Sequence, residues 1–272
     1  MQKIVFISVP QCGTHLLLRY FDHAGFRHIG PYDQLVYTAS MCDTVRNLES
    51  GDYTAWHYPW SEQIVNHIKA VGAKAVFLYR DPRAQICSRM HFILRTNSDV
   101  LHTLFAKRLQ TNRERLLRLM AGFSDEELRH FIEPHRNWDL PRPEDGEGPF
   151  SSYRGGVNSL YRQYARWLWE PFVFSVRFED IIGPQGGGSR EKQLSVLRGL
   201  MDFTGVKEGS PDAEALAGML FSKDAGTFRK GQIASWKEEF TPELHDIFLE
   251  ESAKLLELWG YAKDGPPDLP PV

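Results

Sequence analysis

Side chains with the means to do chemistry gather at three points early in the chain: Pro10-Gln11-Cys12-Gly13-Thr14-His15-Leu16, His57 and Arg80. The first is an anion cradle by geometry. An apolar, β-branched run from Ile4 to Val9 stops at Pro10, and a helix-period pattern with Leu17, Tyr20, Phe21 and Ala24 follows Gly13. Such a strand-to-helix turn aims the unbonded N–H groups of a helix N-terminus, and the Thr14 hydroxyl, at an anion beyond the strand. A nucleoside-triphosphate loop carries Lys after its second Gly; here Thr14 and His15 follow the only Gly, which argues against an ATPase or GTPase. A plain strand-to-helix turn is the alternative this stretch leaves open by itself. His57 brings an imidazole that exchanges a proton near neutral pH, and Arg80 a permanent charge on a planar fork suited to phosphate.

These groups need elements that set them at one place. Tyr53-Thr54-Ala55-Trp56-His57 reads as a short strand ending at the His. Ser61 caps the next helix, which carries Ile64, Val65 and Ile68 on one face and stops at Gly72. Residues 74–79 form a buried-type strand that runs straight into Arg80-Asp81-Pro82-Arg83. Strand, helix and strand in alternation predict a parallel sheet covered by helices, with ligands collecting at the carboxyl ends of the strands. Gln11 to His15, His57 and Arg80 all follow strand ends and are expected to share one crevice. The expected class is a single α/β domain over residues 1–264, its central parallel sheet flanked by helices.

The remaining chain supplies scaffold and loops. Residues 26–52, with Tyr32 and Tyr37, read as loop and short elements at the site mouth. Residues 99–123 read as one long helix with a solvated arginine face, and Ser124-Asp125-Glu126-Glu127 as a capping box opening another helix. The Pro- and Gly-rich stretch at 134–152 is a lid-like loop. A helix bearing Leu160, Tyr161, Tyr164, Trp167 and Leu168 leads to a strand at 172–178, and residues 183–188 read as a flexible connector. Ser189 and Thr241 cap two further helices, the second with Pro242 in its first turn. Four prolines fall in the eight residues from 265 to 272, which are expected to form a disordered tail.

At 272 residues and 42% hydrophobic, the chain can bury a large core. A net charge of −3 provides no overall basic field for nucleic acid or an anionic membrane, so any anion site is local. No run approaches the ~18 apolar residues of a membrane span. Cys12, Cys42 and Cys87 are odd in number and widely spaced, which fits neither a disulfide framework nor a metal-ligand pattern and points to a reducing, cytoplasmic setting with no metal. His91, between Met90 and Phe92, reads as structural.

Four segments, in order, resemble the P-loop sulfotransferases that use 3′-phosphoadenosine 5′-phosphosulfate (PAPS). Pro10-Gln11-Cys12-Gly13-Thr14-His15-Leu16 is similar to the family's P-K-S-G-T-T-W loop, which holds the 5′-phosphosulfate. Arg80 and Ser88, eight residues apart, match the pair that holds the 3′-phosphate. Arg177-Phe178-Glu179-Asp180 resembles R-Y-E-D, whose aromatic residue lies by the adenine. Phe228-Arg229-Lys230-Gly231, followed by Trp236-Lys237 and Phe240-Thr241, resembles the segment that closes over the 3′-phosphate. Trp56-His57-Tyr58-Pro59 resembles K-T-H-L-P, whose His is the general base. The resemblance spans residues 4 to about 260 and implies PAPS as donor, PAP as product, no metal, and a small hydroxylated acceptor.

The departures fall on the cations. The family's loop Lys is Gln11 here, and the Lys two residues before the base is Ala55; the second loop Thr is His15, the loop Trp is Leu16, the strand-end Tyr is Phe178 and a later Gly is Ala234. A protonated His15 would restore the missing charge, with Arg19 a poorer substitute. Two readings stand: an O-sulfotransferase with His57 as base and Gln11 and His15 at the reacting centre, or a PAPS- or PAP-binding protein with catalysis weakened or lost. A nucleoside kinase with a degenerate loop lacks the required Lys. Tyr32, Tyr37, Trp56, Tyr58, Trp60, Phe92 and Phe150 are candidates for an apolar acceptor pocket, with core packing the equal alternative.

Overall fold

β1 (Ile4–Ser8), β2 (Arg27–His28), β3 (Asp52–Trp56), β4 (Lys74–Tyr79) and β5 (Val173–Arg177) form one sheet in the order β2-β3-β1-β4-β5, with every neighbouring pair parallel. The computed structural model describes residues 1–30, 39–96, 101–102, 104–124, 126–127, 155–206, 211–222 and 229–263. Tyr32, Tyr37, Phe150, Phe228, the loop at 134–152 and the tail from 265 lie outside them. The described helices are α1 (Thr14–His23), α2 (Ala39–Arg46), α3 (Glu62–Ala70), α4 (Pro82–Arg95), α5 (Asn112–Ala121), α6 (Gly156–Tyr164), α7 (Phe178–Ile181), α8 (Arg190–Thr204), α9 (Ala213–Leu220) and α10 (Pro242–Leu258). This is the α/β class with a central parallel sheet flanked by helices that the strand-helix alternation predicts.

β1 is buried along its whole length, because a central parallel strand is covered on both faces and needs the continuous apolar run of Ile4, Val5, Phe6 and Ile7. Its connection leads towards β2 and β3, whereas β4 connects onward to β5 on the other side. The carboxyl ends of β1 and β4 therefore flank the point where the order reverses, the usual ligand crevice of such sheets. The short edge strand β2 is tied down by Arg27, whose guanidinium donates to both carboxylate oxygens of Asp52 at 2.8 and 3.1 Å and holds that carboxyl below the usual range.

Two compact units divide the chain: Met1–Arg80 with Tyr164–Ile233, and Asp81–Gln163 with Ala234–Val272. The first contains the sheet with α1, α2, α3, α7, α8 and α9. In the second, α4 and α10 both pack against α5. Its fully buried Arg83 forks onto Asp81, donates to the carbonyls of Ala262 and Lys263, and stacks on Trp236 at 4.1 Å. His91 pairs there with Glu239 at 2.7 Å, a structural contact.

Ser61, Ser189 and Thr241 cap α3, α8 and α10 as their positions require. Ser124 and Glu127 exchange the two bonds of a capping box. The long helix expected at 99–123 is instead a π-type turn, Leu104–Arg108, followed by α5. Thr111 and Glu114 form a capping box that starts α5 afresh, and the Arg115 guanidinium satisfies the carbonyls of Phe105 and Leu109 at the break. The helix through Leu168 likewise ends at Tyr164 and tightens to a 3₁₀ turn, Ala165–Trp169. Residues 183–188 are not a loose connector: Gly186 is buried, and an added Cβ would lie 2.1 Å from Ile182 Cγ1 and 2.6 Å from the Gly231 carbonyl oxygen. That close backbone approach is what the glycines allow. Around residues 26–52, the short elements expected there are β2 and α2.

Candidate active site

The loop after β1 is shaped by two left-handed residues, Gln11 at φ +66° and Gly13 at φ +92°. Gly13 is the N-cap of α1 and offers no side chain to cap the N–H groups of the first turn. Leu16 N donates instead to the Gly13 carbonyl at 2.9 Å. Cys12 and Leu16 bury their side chains; Gln11 and His15 are half-buried. Arg19 is committed elsewhere, donating to the Met219 carbonyl at 2.8 Å.

Gly13 is also a packing necessity. A Cβ there would stand 2.6 Å from Cδ2 of Phe178, so the aromatic ring lies directly against the cradle. Arg80, at the end of β4, lays its guanidinium on the same ring at 4.0 Å from the centroid and donates to the Gln232 carbonyl at 2.9 Å. Phe178 is aimed by the turn that follows β5. Arg177 bonds Asp180 at 2.6 Å inside the core, and Gln193 donates to the Ile181 carbonyl at 3.0 Å. Ile233 N donates to the Gly186 carbonyl, and Gln232 donates its side chain to the Gln185 carbonyl, which docks the segment carrying Arg229, Lys230 and Gly231. The loop, Phe178, Arg80 and the segment 229–232 are thus brought together in the first unit. Ser88 sits half-buried on α4 in the second unit, and Phe228 lies outside the described residues.

His57 follows β3 immediately and is joined to the cradle by hydrogen bonds. Its Nδ1 lies 2.9 Å from the Ser8 carbonyl oxygen and 2.9 Å from Ser8 Oγ, and Ser8 Oγ lies 3.0 Å from Thr14 Oγ1. A carbonyl only accepts, so Nδ1 carries a hydrogen, and in the neutral ring the lone pair is then on Nε2, the arrangement a proton acceptor needs. The main chain beside it is pinned from the sequence-distant 164–167 stretch: Tyr164 donates its hydroxyl to the His57 carbonyl at 2.9 Å, and Trp167 its indole N–H to the Tyr58 carbonyl at 3.3 Å. Helical periodicity assigns Tyr164 and Trp167 to the core, and they are indeed buried; a phenol or indole needing one partner for its polar end is the only sequence signal for this second task. Ser8 was likewise hidden within an apolar strand. Of the aromatic residues considered for a pocket, Trp56 is core, and Trp60 bonds Glu170 while Arg166 stacks on its ring.

No protein-family profile matches the sequence, and a search of curated proteins returns no match. Solved structures do match. A mouse sulfotransferase, SULT7A1, crystallised with PAP aligns over 94% of this chain and 84% of its own, with a TM-score of 0.61 and 15% identity. Retinol dehydratase in complex with androsterone and the inactive cofactor PAP aligns over 98% of this chain and 82% of its own, with a TM-score of 0.52 and 14% identity. The chain therefore has the sulfotransferase fold of the cytosolic type. Among the described residues no helix is long and apolar enough to cross a membrane, and no group of three or more His, Cys, Asp or Glu could hold a metal ion. All three cysteines are buried, and none forms a disulfide.

Proposed function

We propose that this protein is a PAPS-dependent sulfotransferase that transfers a sulfuryl group to a hydroxyl of a small-molecule acceptor, working in the cytoplasm without a metal. The observation that carries the reading is the bonded sequence His57, Ser8, Thr14, which ties a Nδ1-protonated imidazole to the mouth of an anion cradle. The donor set fits the cofactor's two separated anionic ends. The open first turn of α1, with Thr14, Gln11 and His15, suits the 5′-phosphosulfate, and Arg80, Arg229 and Lys230 suit the 3′-phosphate, to which the family resemblance alone adds Ser88. Phe178 and Gly231 complete the nucleotide site, with Phe228 in the same motif.

When bound, PAPS supplies an activated sulfuryl group. His57 Nε2 would take the proton of the acceptor hydroxyl, while bound PAPS would give up its sulfuryl group and leave as PAP, the electron pair of the broken bond staying on the 5′-phosphate oxygen. The N–H groups of the first turn of α1 and the Thr14 hydroxyl would stabilise the charge on that oxygen. A screen for sulfated products across phenols, alcohols, sterols and sugars, read by mass spectrometry, tests the assignment. His57→Ala is expected to keep PAP affinity and to lose turnover by ~100-fold or more. The second reading, a nucleotide-binding module, is favoured by Gln11 and by Ala55, which is buried in β3 where the family pattern has a lysine. Binding of PAP without transfer to any acceptor would select it.

A further inference from the structure

Ser8 has no place in the family pattern that assigns the other residues, yet its hydroxyl bridges His57 and the Thr14 hydroxyl of the cradle. Resting on the sulfotransferase reading, we infer that Ser8 is a positioning residue, a directional hydrogen-bond relay that strengthens the Thr14 donor as His57 accepts a proton. The direction follows from the partners. The Ser8 carbonyl makes Nδ1 a donor, so Ser8 Oγ, also 2.9 Å from Nδ1, accepts from the same N–H in a three-centre bond. Its own hydrogen is then available for Thr14 Oγ1 at 3.0 Å, and Thr14, accepting there, keeps its hydrogen for an anion before α1.

Consequences for the reaction follow from polarisation along a buried chain. When Nε2 takes the acceptor proton, the ring becomes cationic and Nδ1–H a stronger donor. Ser8 Oγ–H then polarises towards Thr14, and the Thr14 hydroxyl donates more strongly to the oxygen losing its bond to sulfur. No proton travels along the relay; each hydroxyl keeps its own. Charge taken up at one end thus stabilises charge developing at the other, in a site where Gln11 replaces the loop cation. The geometry demands a small hydroxylated residue: Ser8 is fully buried in β1, between β3 and β4.

The test compares wild type, Ser8→Ala and Ser8→Thr as full-length proteins. In wild type, ¹⁵N and ¹H NMR of the His57 ring should show the neutral Nδ1–H form, and saturation with PAP should move the Nδ1–H resonance downfield. Ser8→Ala should abolish that PAP-induced movement while keeping the thermal stabilisation by PAP, and kcat should fall roughly 10-fold with the KM for PAPS little changed. Ser8→Thr, which keeps the hydroxyl, should restore both. A neutral Nε2–H form in wild type overturns the relay even if Ser8→Ala does not fold. An equal PAP-induced movement in Ser8→Ala overturns it as well. The spectroscopic results decide the relay even if no acceptor is ever sulfated, whereas loss of the sulfotransferase reading alone would appear as absent transfer by wild type.

Discussion

Gln11 holds a backbone conformation that favours glycine, and so does Ala234 at φ +53°; each costs on the order of 1 kcal/mol against a relaxed position. Both positions are departures from the sulfotransferase pattern, which has Lys at the first and Gly at the second. Strain of this kind concentrates where a backbone must meet a ligand, the role proposed for the cradle after β1. The side chain at Gln11 offers an amide N–H in place of a charge. On the proposed mechanism Gln11→Lys should raise kcat by ~10-fold or more and leave PAP affinity within a few-fold, because the added cation acts on charge that exists only in the transition state. Steady-state kinetics with a matched acceptor, together with PAP titration, measure both. If kcat instead stays flat or falls, the charge is already supplied, and His15→Ala should then be the damaging change.

Three strand ends, those of β1, β3 and β4, deliver the cradle, His57 and Arg80, and a fourth, β5, delivers Phe178. Tight packing between loops matters as much as the strands. Gly186→Ala should destabilise the protein by about 2 kcal/mol, read from denaturation midpoints, since its Cβ would strike Ile182 and the Gly231 carbonyl oxygen. PAP binding should weaken with it through displacement of the 229–232 segment. The strand ends were legible because buried parallel strands require unbroken apolar runs, and a Pro, Gly or charge marks where they stop. The 183–188 turn was not, because its order comes from a segment some 45 residues away, and composition records only the glycines. The break before α5 was readable in principle from Thr111 and Glu114 at capping-box spacing, but apolar periodicity ran across it. β2, with two residues, is too short to carry any periodic signal, and its hold on the sheet lies in the Arg27–Asp52 pair.

Across the whole molecule, the chain leaves the first unit directly after Arg80 and again directly after Ile233, next to Gln232, whose carbonyl Arg80 binds. Arg80, Arg229 and Lys230, proposed for the 3′-phosphate, all belong to the first unit. A net charge of −3 gives no general attraction for a polyanion, so nucleotide affinity has to come from these local donors and the α1 N-terminus. The agreement between a fold found in PAP-bound sulfotransferases and a site assembled from this chain's own contacts makes nucleotide binding the central claim. Isothermal titration calorimetry of the full chain against PAP and ATP tests it most directly. PAP should bind with one-to-one stoichiometry and far more tightly than ATP, and Arg80→Ala should weaken PAP by roughly 10- to 100-fold through loss of a charge-assisted contact. Tight binding of ATP with no detectable binding of PAP would contradict it.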